Sequence, residues 1–246
     1  MIIPIGDDNR DRRITPWVNY AFIAINIVVF VFIQQFGANI GFTYSYSTVP
    51  EEIVSGRDVV TEERTVRDPL SGQLFRSPGL GRTPITVYIT LITSLFMHGG
   101  IAHLLGNMLF LFIFGDNIED RLGHLRYVVF YLACGVLASL AHVYATLVFG
   151  GNMLIPSLGA SGAISGVLGG YLILFPRRRV RVILIRILMQ VPAVVAIGLW
   201  FVFQLVSGLG VLGAGSQAGG VAYAAHIGGF VVGALFIRLF AAGRAP

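Results

Sequence analysis

The chain contains no lysine, one cysteine and few charged residues of any kind. Charged residues make up 12% of its 246 residues, whereas a soluble globular domain carries about 25%. Apolar residues make up 55%, and the mean hydropathy is +0.79. Because so little polar surface is available to face water, the composition argues against an ordinary soluble domain and predicts a membrane protein.

The scarcity of cysteine and of acidic motifs excludes several kinds of site. With Cys134 alone, the chain can form neither an internal disulfide nor a CxxC metal site, and we expect this thiol to be a small buried apolar group. No HExxH sequence supports a zinc protease, and no apolar segment carries an aspartate away from its ends. We therefore expect neither metalloprotease nor aspartyl protease chemistry. Residues 1–13 lack an apolar stretch, so we expect no cleaved signal peptide.

Long apolar runs are what the chain has in abundance. A helix that spans the bilayer needs about 20 mostly apolar residues. Six segments meet or approach this length, namely 17–36, 101–114, 127–149, 160–175, 182–206 and 220–240. We predict an all-α, polytopic membrane protein that forms one domain over residues 1–246, a six-helix bundle with a short fourth helix. Residues 1–16 form a polar N-terminal segment, and residues 37–84 form a long polar loop with short helices or a hairpin.

The arginines predict the orientation of this bundle. Loops on the cytoplasmic side of a membrane protein carry an excess of Lys and Arg. If the N-terminus is cytoplasmic, the five arginines of loop 37–84 lie outside and twelve lie inside. The twelve are Arg10, Arg12, Arg13, Arg121, Arg126, Arg177, Arg178, Arg179, Arg181, Arg186, Arg238 and Arg244. We therefore expect both termini in the cytoplasm, which agrees with an even number of spans, and we see no nucleic-acid site.

Polar side chains recur at one depth in three of the predicted helices. At about 1.5 Å per residue, His103 lies roughly 20 Å, Ser161 roughly 24 Å and His226 roughly 18 Å from the cytoplasmic ends of their helices. Asn107 follows His103 by one turn and shares its face. Polar groups inside apolar helices usually face the protein interior or a water cavity. These four side chains therefore predict a single site in the outer half of the membrane.

Serine and histidine in one layer indicate nucleophilic catalysis. A serine hydroxyl becomes a good nucleophile when a base takes its proton, and neutral histidine is the usual base. Asn107, His103 and the backbone N–H of Ser161 could donate hydrogen bonds to an oxyanion. No acidic residue lies at this depth to orient the histidine, so the residues predict a Ser161–His226 dyad without a third member.

Helix packing and transport are alternative explanations for the same residues. Ser161, Ser165 and Gly169 form a row of small residues four apart, and Gly229 and Gly233 form another. Such rows allow membrane helices to approach closely, which also predicts that the fourth and sixth helices are in contact. A small transporter or channel could instead use the serine and the histidines as a polar pathway.

Three sequence motifs resemble the rhomboid intramembrane serine proteases. They read His98-Gly-Gly-Ile-Ala-His103-Leu-Leu-Gly-Asn107, Gly159-Ala-Ser161-Gly162 and Ala225-His226-Ile-Gly-Gly229. The resemblance implies that Ser161 is the nucleophile, that His226 is the general base and that His103 and Asn107 stabilise the oxyanion. It further implies cleavage of transmembrane protein substrates near the outer face of the bilayer, without a metal or cofactor. A bacterial cell membrane is the expected location, and the oligomeric state stays open.

The chain departs from the family pattern beside its histidine. Many members have an aromatic residue four positions after the nucleophile, where this chain has Ser165, and Tyr223 is a substitute candidate for holding His226. We also expect the glycine-rich segment 207–220 to cap the site, and Pro192 to loosen the fifth helix. A non-proteolytic rhomboid-like protein that binds membrane clients is a further alternative, although such relatives usually lack the serine or the histidine.

Overall fold

Helices dominate the fold, as the apolar runs predict. A computed structural model describes residues 2–67, 74–185, 187–213 and 223–243. The helices are α1 (Trp17–Val28), α2 (Ile40–Tyr46), α3 (Pro50–Ser55), α4 (Thr90–Thr93), α5 (Ile101–Leu122), α6 (His124–Val148), α7 (Ser161–Leu174), α8 (Ala193–Gly213) and α9 (Tyr223–Ala241). A π-helical turn, Val29–Ile33, extends α1.

Three of these helices, α5, α6 and α9, are long and apolar enough to cross a membrane. Shorter apolar helices are Trp17–Ile33, Ser161–Leu174 and Ala193–Leu209, which match three further predicted segments. Large apolar side chains such as Phe112, Leu125, Tyr144, Phe203 and Leu239 lie exposed on the helix surfaces. Lipid is the solvent in which such a surface is stable. The chain is therefore a polytopic helical membrane protein, in agreement with the prediction.

The short helix α7 lies at the centre of the bundle. Every residue from Gly162 to Tyr171 is buried, which is the environment expected for a helix that is apolar on all sides. It packs against α5, α6 and α9. Ser161, its first residue, is therefore presented at the end of a rigid central element.

Glycines bring α7 and α9 into backbone contact, as the rows of small residues predict. A Cβ atom added to Gly233 would lie 1.9 Å from the carbonyl oxygen of Gly166, and one added to Gly229 would lie 2.2 Å from that of Gly162. In the other direction, a Cβ atom on Gly169 would lie 2.1 Å from the carbonyl oxygen of Phe230. No other residue type allows this separation of the two helices.

The fold also contains strands, of which the sequence prediction included only a hairpin in loop 37–84. They are β1 (Ile2–Asp7), β2 (Arg64–Arg67), β3 (Leu74–Ser77), β4 (Arg179–Leu184) and β5 (Ile187–Pro192). Strands β1, β4 and β5 form an antiparallel sheet in the order β1-β4-β5. Strands β2 and β3 form a separate antiparallel hairpin.

The prediction of a fifth helix over 182–206 is wrong in its first half. Residues 182–184 and 187–192 belong to strands β4 and β5, and the helix begins at Ala193 and continues to Gly213. In β4 the arginines alternate with buried Val180 and Val182, a period-2 pattern that the apolar run concealed. Pro192 ends β5 and is not inside a helix, so it cannot loosen α8. Residues 207–213 continue α8, whereas 214–222, with the rest of the expected capping segment and the expected helix start at 220, lie outside the described residues.

Helix α5 continues to Leu122, past its predicted end at residue 114. The apolar run ends there because the last two turns of the helix carry polar groups, which the structure buries. Glu119 is fully buried and its two carboxylate oxygens accept the N–H groups of Val18 and Asn19, at 3.0 and 2.7 Å. These N–H groups lie in the first turn of α1 and have no partner within that helix. The carboxylate also lies at the positive end of the α1 dipole. One side chain of α5 therefore fixes where α1 begins.

At the opposite end of the bundle, the long loop 37–84 contains α2, α3 and the β2–β3 hairpin, as predicted. Thr48 pairs with Ser157 through two backbone hydrogen bonds of 3.0 and 2.8 Å. The Thr48 hydroxyl lies 2.9 Å from that of Ser94, and Gly159 N–H donates to the carbonyl of Ser94 at 2.9 Å. The loop thus braces the segment that leads into Ser161.

The helix contact predicts a selective effect of alanine substitutions. Gly233→Ala should lower the melting temperature by roughly 5 °C, because overpacking against a backbone atom costs about 1–3 kcal/mol. Gly198→Ala on α8, where nothing lies within 4 Å of the added atom, is the matched control and should be neutral. Thermal unfolding of the detergent-solubilised variants measures the difference, and equal melting temperatures would contradict the backbone contact.

The N-terminal strand predicts a pH dependence of stability. Asp7 accepts hydrogen bonds from Tyr171 and Asn117, and burial raises the pKa of Asp7 to about 7. Between its ordinary value and pH 7 the folded state binds more protons than the unfolded chain, so stability falls as the pH rises through that interval. Melting temperatures measured from pH 4 to 8 should decline less in Asp7→Asn than in the wild type. An identical decline in both proteins would exclude Asp7 as its source.

Candidate active site

Ser161 and His226 lie within hydrogen-bond distance of each other. The Oγ atom of Ser161, at the start of α7, lies 2.8 Å from Nε2 of His226 in the first turn of α9. The backbone contact between the two helices allows this approach. Both side chains are half-buried, so each is held by the bundle and still has an accessible surface. In this geometry the ring nitrogen can accept the hydroxyl proton.

His103 lies across Gly159 from the serine. A Cβ atom on Gly159 would lie 3.0 Å from Nε2 of His103 and 3.6 Å from Oγ of Ser161, and the φ angle of Gly159 is +130°. Only glycine tolerates both the backbone conformation and the proximity of the imidazole. The N–H of Gly99 points at Nδ1 of His103 at 3.4 Å. If Nδ1 accepts, Nε2 carries the proton and is a donor on the serine side.

Asn107 follows one turn after His103 on α5. Its side chain is buried, and its Nδ2 atom has no hydrogen-bond partner among the described residues. A buried amide donor without a partner is unfavourable unless another group accepts from it. The N–H of Ser161 is a further donor, because the first N–H groups of a helix have no partner within it.

His98 packs beside His103 and makes no polar contact with Ser161. Its ring lies edge-on to that of His103, with 5.0 Å between ring centroids. Gln34 holds its backbone, donating to the carbonyl at 3.1 Å and accepting from the N–H at 2.9 Å. His98 therefore supports His103 by packing.

Gln204 is the side chain that the sequence prediction missed. Its Oε1 atom lies 2.9 Å from Nδ1 of His226, and its side chain on α8 is only 6% exposed. The signal was present, because Gln204 is an amide inside an apolar helix, where polar groups usually have a specific partner.

Aromatic rings also surround His226, although none comes from position 165. The Ser165 hydroxyl donates to the carbonyl of Ser161 at 2.6 Å and is buried inside α7. The ring of Trp200 lies 6.2 Å from that of His226, and the ring of Tyr223 lies 6.5 Å away. Tyr223 is thus beside the histidine as suggested, and Trp200 is an additional neighbour.

A small hollow adjoins the serine. Its lining is Ser94, Ser139, Ser157, Leu158, Gly159, Ser161, Gly162 and Ala225. Four hydroxyl groups make it more polar than the surrounding bundle. Within the described part of the chain, no three His, Cys, Asp or Glu residues are grouped as metal ligands. Cys134, the free thiol, is buried against Gly166.

Comparisons with known proteins all identify the same family. The sequence model of the Rhomboid domain matches residues 86–243, which is more than half of the chain. The chain is 32% identical to Rhomboid protein 1, mitochondrial, of Saccharomyces cerevisiae over 62% of its own length and 42% of that protein. It is 35% identical to RHOMBOID-like protein 4 of Arabidopsis thaliana over 59% of its length and 32% of that protein.

A bacterial relative matches over a shorter region. The chain is 43% identical to Rhomboid protease GluP of Bacillus subtilis over 33% of its own length and 15% of that protein. The chain spans less than half the length of these curated relatives. The matched region 86–243 contains both members of the Ser161–His226 pair and both donors on α5. The chain therefore belongs to the rhomboid family.

Proposed function

We propose that the chain is an intramembrane serine endopeptidase that cleaves transmembrane segments of membrane proteins. The observation that carries the proposal is the 2.8 Å contact between Ser161 Oγ and His226 Nε2 at the start of a buried helix. Membership of the rhomboid family and the similarity to a relative named a rhomboid protease support it. The transport and non-proteolytic alternatives leave this pairing of a nucleophile with a base unused.

In the first half of the reaction, His226 acts as the general base. Its Nε2 atom takes the proton of Ser161 as Oγ forms a bond to the carbonyl carbon of the substrate peptide. The resulting imidazolium returns the proton to the leaving amine as the peptide C–N bond breaks. The products of this half are a shortened substrate with a free amine and an acyl group esterified to Ser161.

Three donors stabilise the negative charge on the tetrahedral intermediate. They are the Nδ2 group of Asn107, the Nε2–H group of His103 and the backbone N–H of Ser161. The Asn107 amide is buried and has no hydrogen-bond partner in the described part of the chain, and the Ser161 N–H lies at the positive end of the α7 dipole. Donors fixed in advance in a region of low dielectric are more effective than the same groups in water.

Water completes the reaction by attacking the acyl-enzyme. His226 takes a proton from this water, and Ser161 leaves the acyl carbon with the proton restored to its oxygen. The hollow beside the nucleophile is suited to supplying the water, because Ser94, Ser139 and Ser157 line it with hydroxyl groups. A site of two or more polar partners is what a buried water requires.

The membrane arrangement is part of the proposal. Residues 1–246 form one domain with both termini and residues 1–16 in the cytoplasm of a bacterial cell, and with loop 37–84 outside. Twelve arginines on the cytoplasmic side against five outside support this orientation. Contacts at one end agree with it: Arg12 pairs with Asp116, and Arg126 donates to the carbonyl of Phe240. Cleavage then occurs near the outer face.

Ser161→Ala and His226→Ala should each abolish cleavage of a model substrate with one spanning helix. Removal of the nucleophile or the base lowers turnover by about 10⁴-fold or more in serine proteases. Ser165→Ala is the matched control on the same helix and should retain activity near the wild-type level. Purified protein in liposomes, with cleavage followed by gel and mass spectrometry, provides the measurement. Cleavage that survives in Ser161→Ala would end the proposed mechanism, and client binding without cleavage by the wild type would favour the non-proteolytic alternative.

Asn107→Ala should lower kcat by about 10²-fold with little change in KM, because an oxyanion donor acts mainly in the transition state. His103→Ala should give a loss of similar kind. Asn152→Ala is the control, since the Asn152 side chain only accepts the backbone N–H of Leu154 in the loop before α7. Steady-state kinetics on the same substrate measure both constants. An increase in KM at constant kcat would instead assign Asn107 to substrate binding.

A further inference from the structure

We infer that Gln204 is the positioning residue of His226 and holds its imidazole in the tautomer that can accept the serine proton. The inference deepens the proposed function and rests on it. It starts from the 2.9 Å contact between Gln204 Oε1 and His226 Nδ1, made by a side chain that is almost completely buried.

The chemistry of the two groups determines the direction of this hydrogen bond. An amide oxygen only accepts, so Nδ1 must carry the ring proton. Neutral imidazole has one ring proton, and Nε2 is therefore left with a lone pair directed at Ser161 Oγ, 2.8 Å away. In the other tautomer Nε2–H would face the hydroxyl and could not take its proton. The glutamine thus selects the reactive form of the base.

A neutral partner suits the location of this histidine. The residues around Gln204 on α8 are apolar, and none of the described acidic side chains hydrogen bonds to His226. A carboxylate at this position would have to be desolvated, which is unfavourable for a charged group. An amide orients the ring through one hydrogen bond and adds no buried charge.

Trp200 completes the support from the same helix. It precedes Gln204 by one turn, so both side chains lie on one face of α8. Its ring lies 6.2 Å from the imidazole at an angle of 39°, while Gln204 contacts the ring edge. Helix α8 therefore supplies an aromatic neighbour and a hydrogen-bond acceptor, in place of an aromatic residue at position 165.

The decisive variants keep the shape of the side chain and change its hydrogen bonding. Gln204→Leu cannot accept, and it should lower kcat about 10-fold, the size of one neutral hydrogen bond, with KM unchanged. Labelling of Ser161 by a fluorophosphonate should slow by the same factor. Gln190→Leu on exposed strand β5 is the matched control. Gln204→Leu with wild-type kcat and labelling rate would overturn the inference.

Gln204→Glu separates orientation from mere packing. The carboxylate still accepts from Nδ1–H but also stabilises the imidazolium. Since the neutral ring is the base, the acidic limb of the kcat profile should move to higher pH, by about one unit. If the side chain at position 204 did not reach Nδ1, the new carboxylate would lie away from the imidazole and the limb would stay where it is in the wild type, and that result would contradict the positioning role even if the variant is less stable.

A tautomer measurement is independent of catalysis. In protein labelled with ¹⁵N-histidine, His226 is assigned by comparison with His226→Ala. We expect a protonated Nδ1 and an unprotonated Nε2 in the wild type, and loss of this preference in Gln204→Leu. An Nε2-protonated ring in the wild type would overturn the inference. A protein that has the expected tautomer and cuts no substrate would instead refute the proposed function alone.

Discussion

Backbone contact between α7 and α9 is the constraint on which the site depends. The serine and the histidine belong to different helices, and their separation is set where Gly166 and Gly233 bring main-chain atoms together. Because no side chain lies between the helices at these points, their distance cannot be adjusted by a change of rotamer. The 2.8 Å contact between Ser161 and His226 follows from this geometry one to two turns away.

The two ends of the bundle are fastened by different interactions. At one end, polar groups of α5 are buried against the N-terminal segment: Glu119 holds the first turn of α1, and Asp116 pairs with Arg12 at 2.8 Å. At the other end, backbone pairing of Thr48 with Ser157 holds the approach to the nucleophile. The apolar middle of the bundle needs no such polar contacts, since the backbone groups of each helix form their hydrogen bonds within that helix.

Most of the architecture and four side chains of the site could be predicted from the sequence. Apolar length identifies helices without knowledge of their contacts, and common depth brought together Ser161, His226, His103 and Asn107. The β4–β5 hairpin could not be separated from the following helix, because the period-2 pattern of β4 passes directly into a mainly apolar run and Ala193 carries no capping signal. The sequence prediction missed Gln204 for a different reason. As an amide inside an apolar segment it was a visible candidate, but its partner depends on the rotation of α8 about its own axis, which tertiary packing determines.

The side chains that contact His226 also explain why position 165 can be a serine. An aromatic residue at that position would extend from the central helix toward the imidazole. Here the position is occupied by a hydroxyl turned back onto its own helix, bonded to the carbonyl of Ser161 at 2.6 Å. Trp200 and Gln204 approach the imidazole from a neighbouring helix instead. The support of His226 therefore comes from α8 and not from α7, the helix that carries Ser161.

The pairing of Thr48 with Ser157 has a consequence for access to Ser161 from water. Ser157 precedes the nucleophile by four residues, and Thr48 lies in a polar loop that carries five arginines and six acidic residues along its length. A soluble macromolecule that binds this loop and displaces Thr48 would disturb the support of Ser161 without entering the bilayer. The Ser161–His226 pair is thus linked by backbone hydrogen bonds to a polar loop, which makes that loop a target for molecules that cannot partition into lipid.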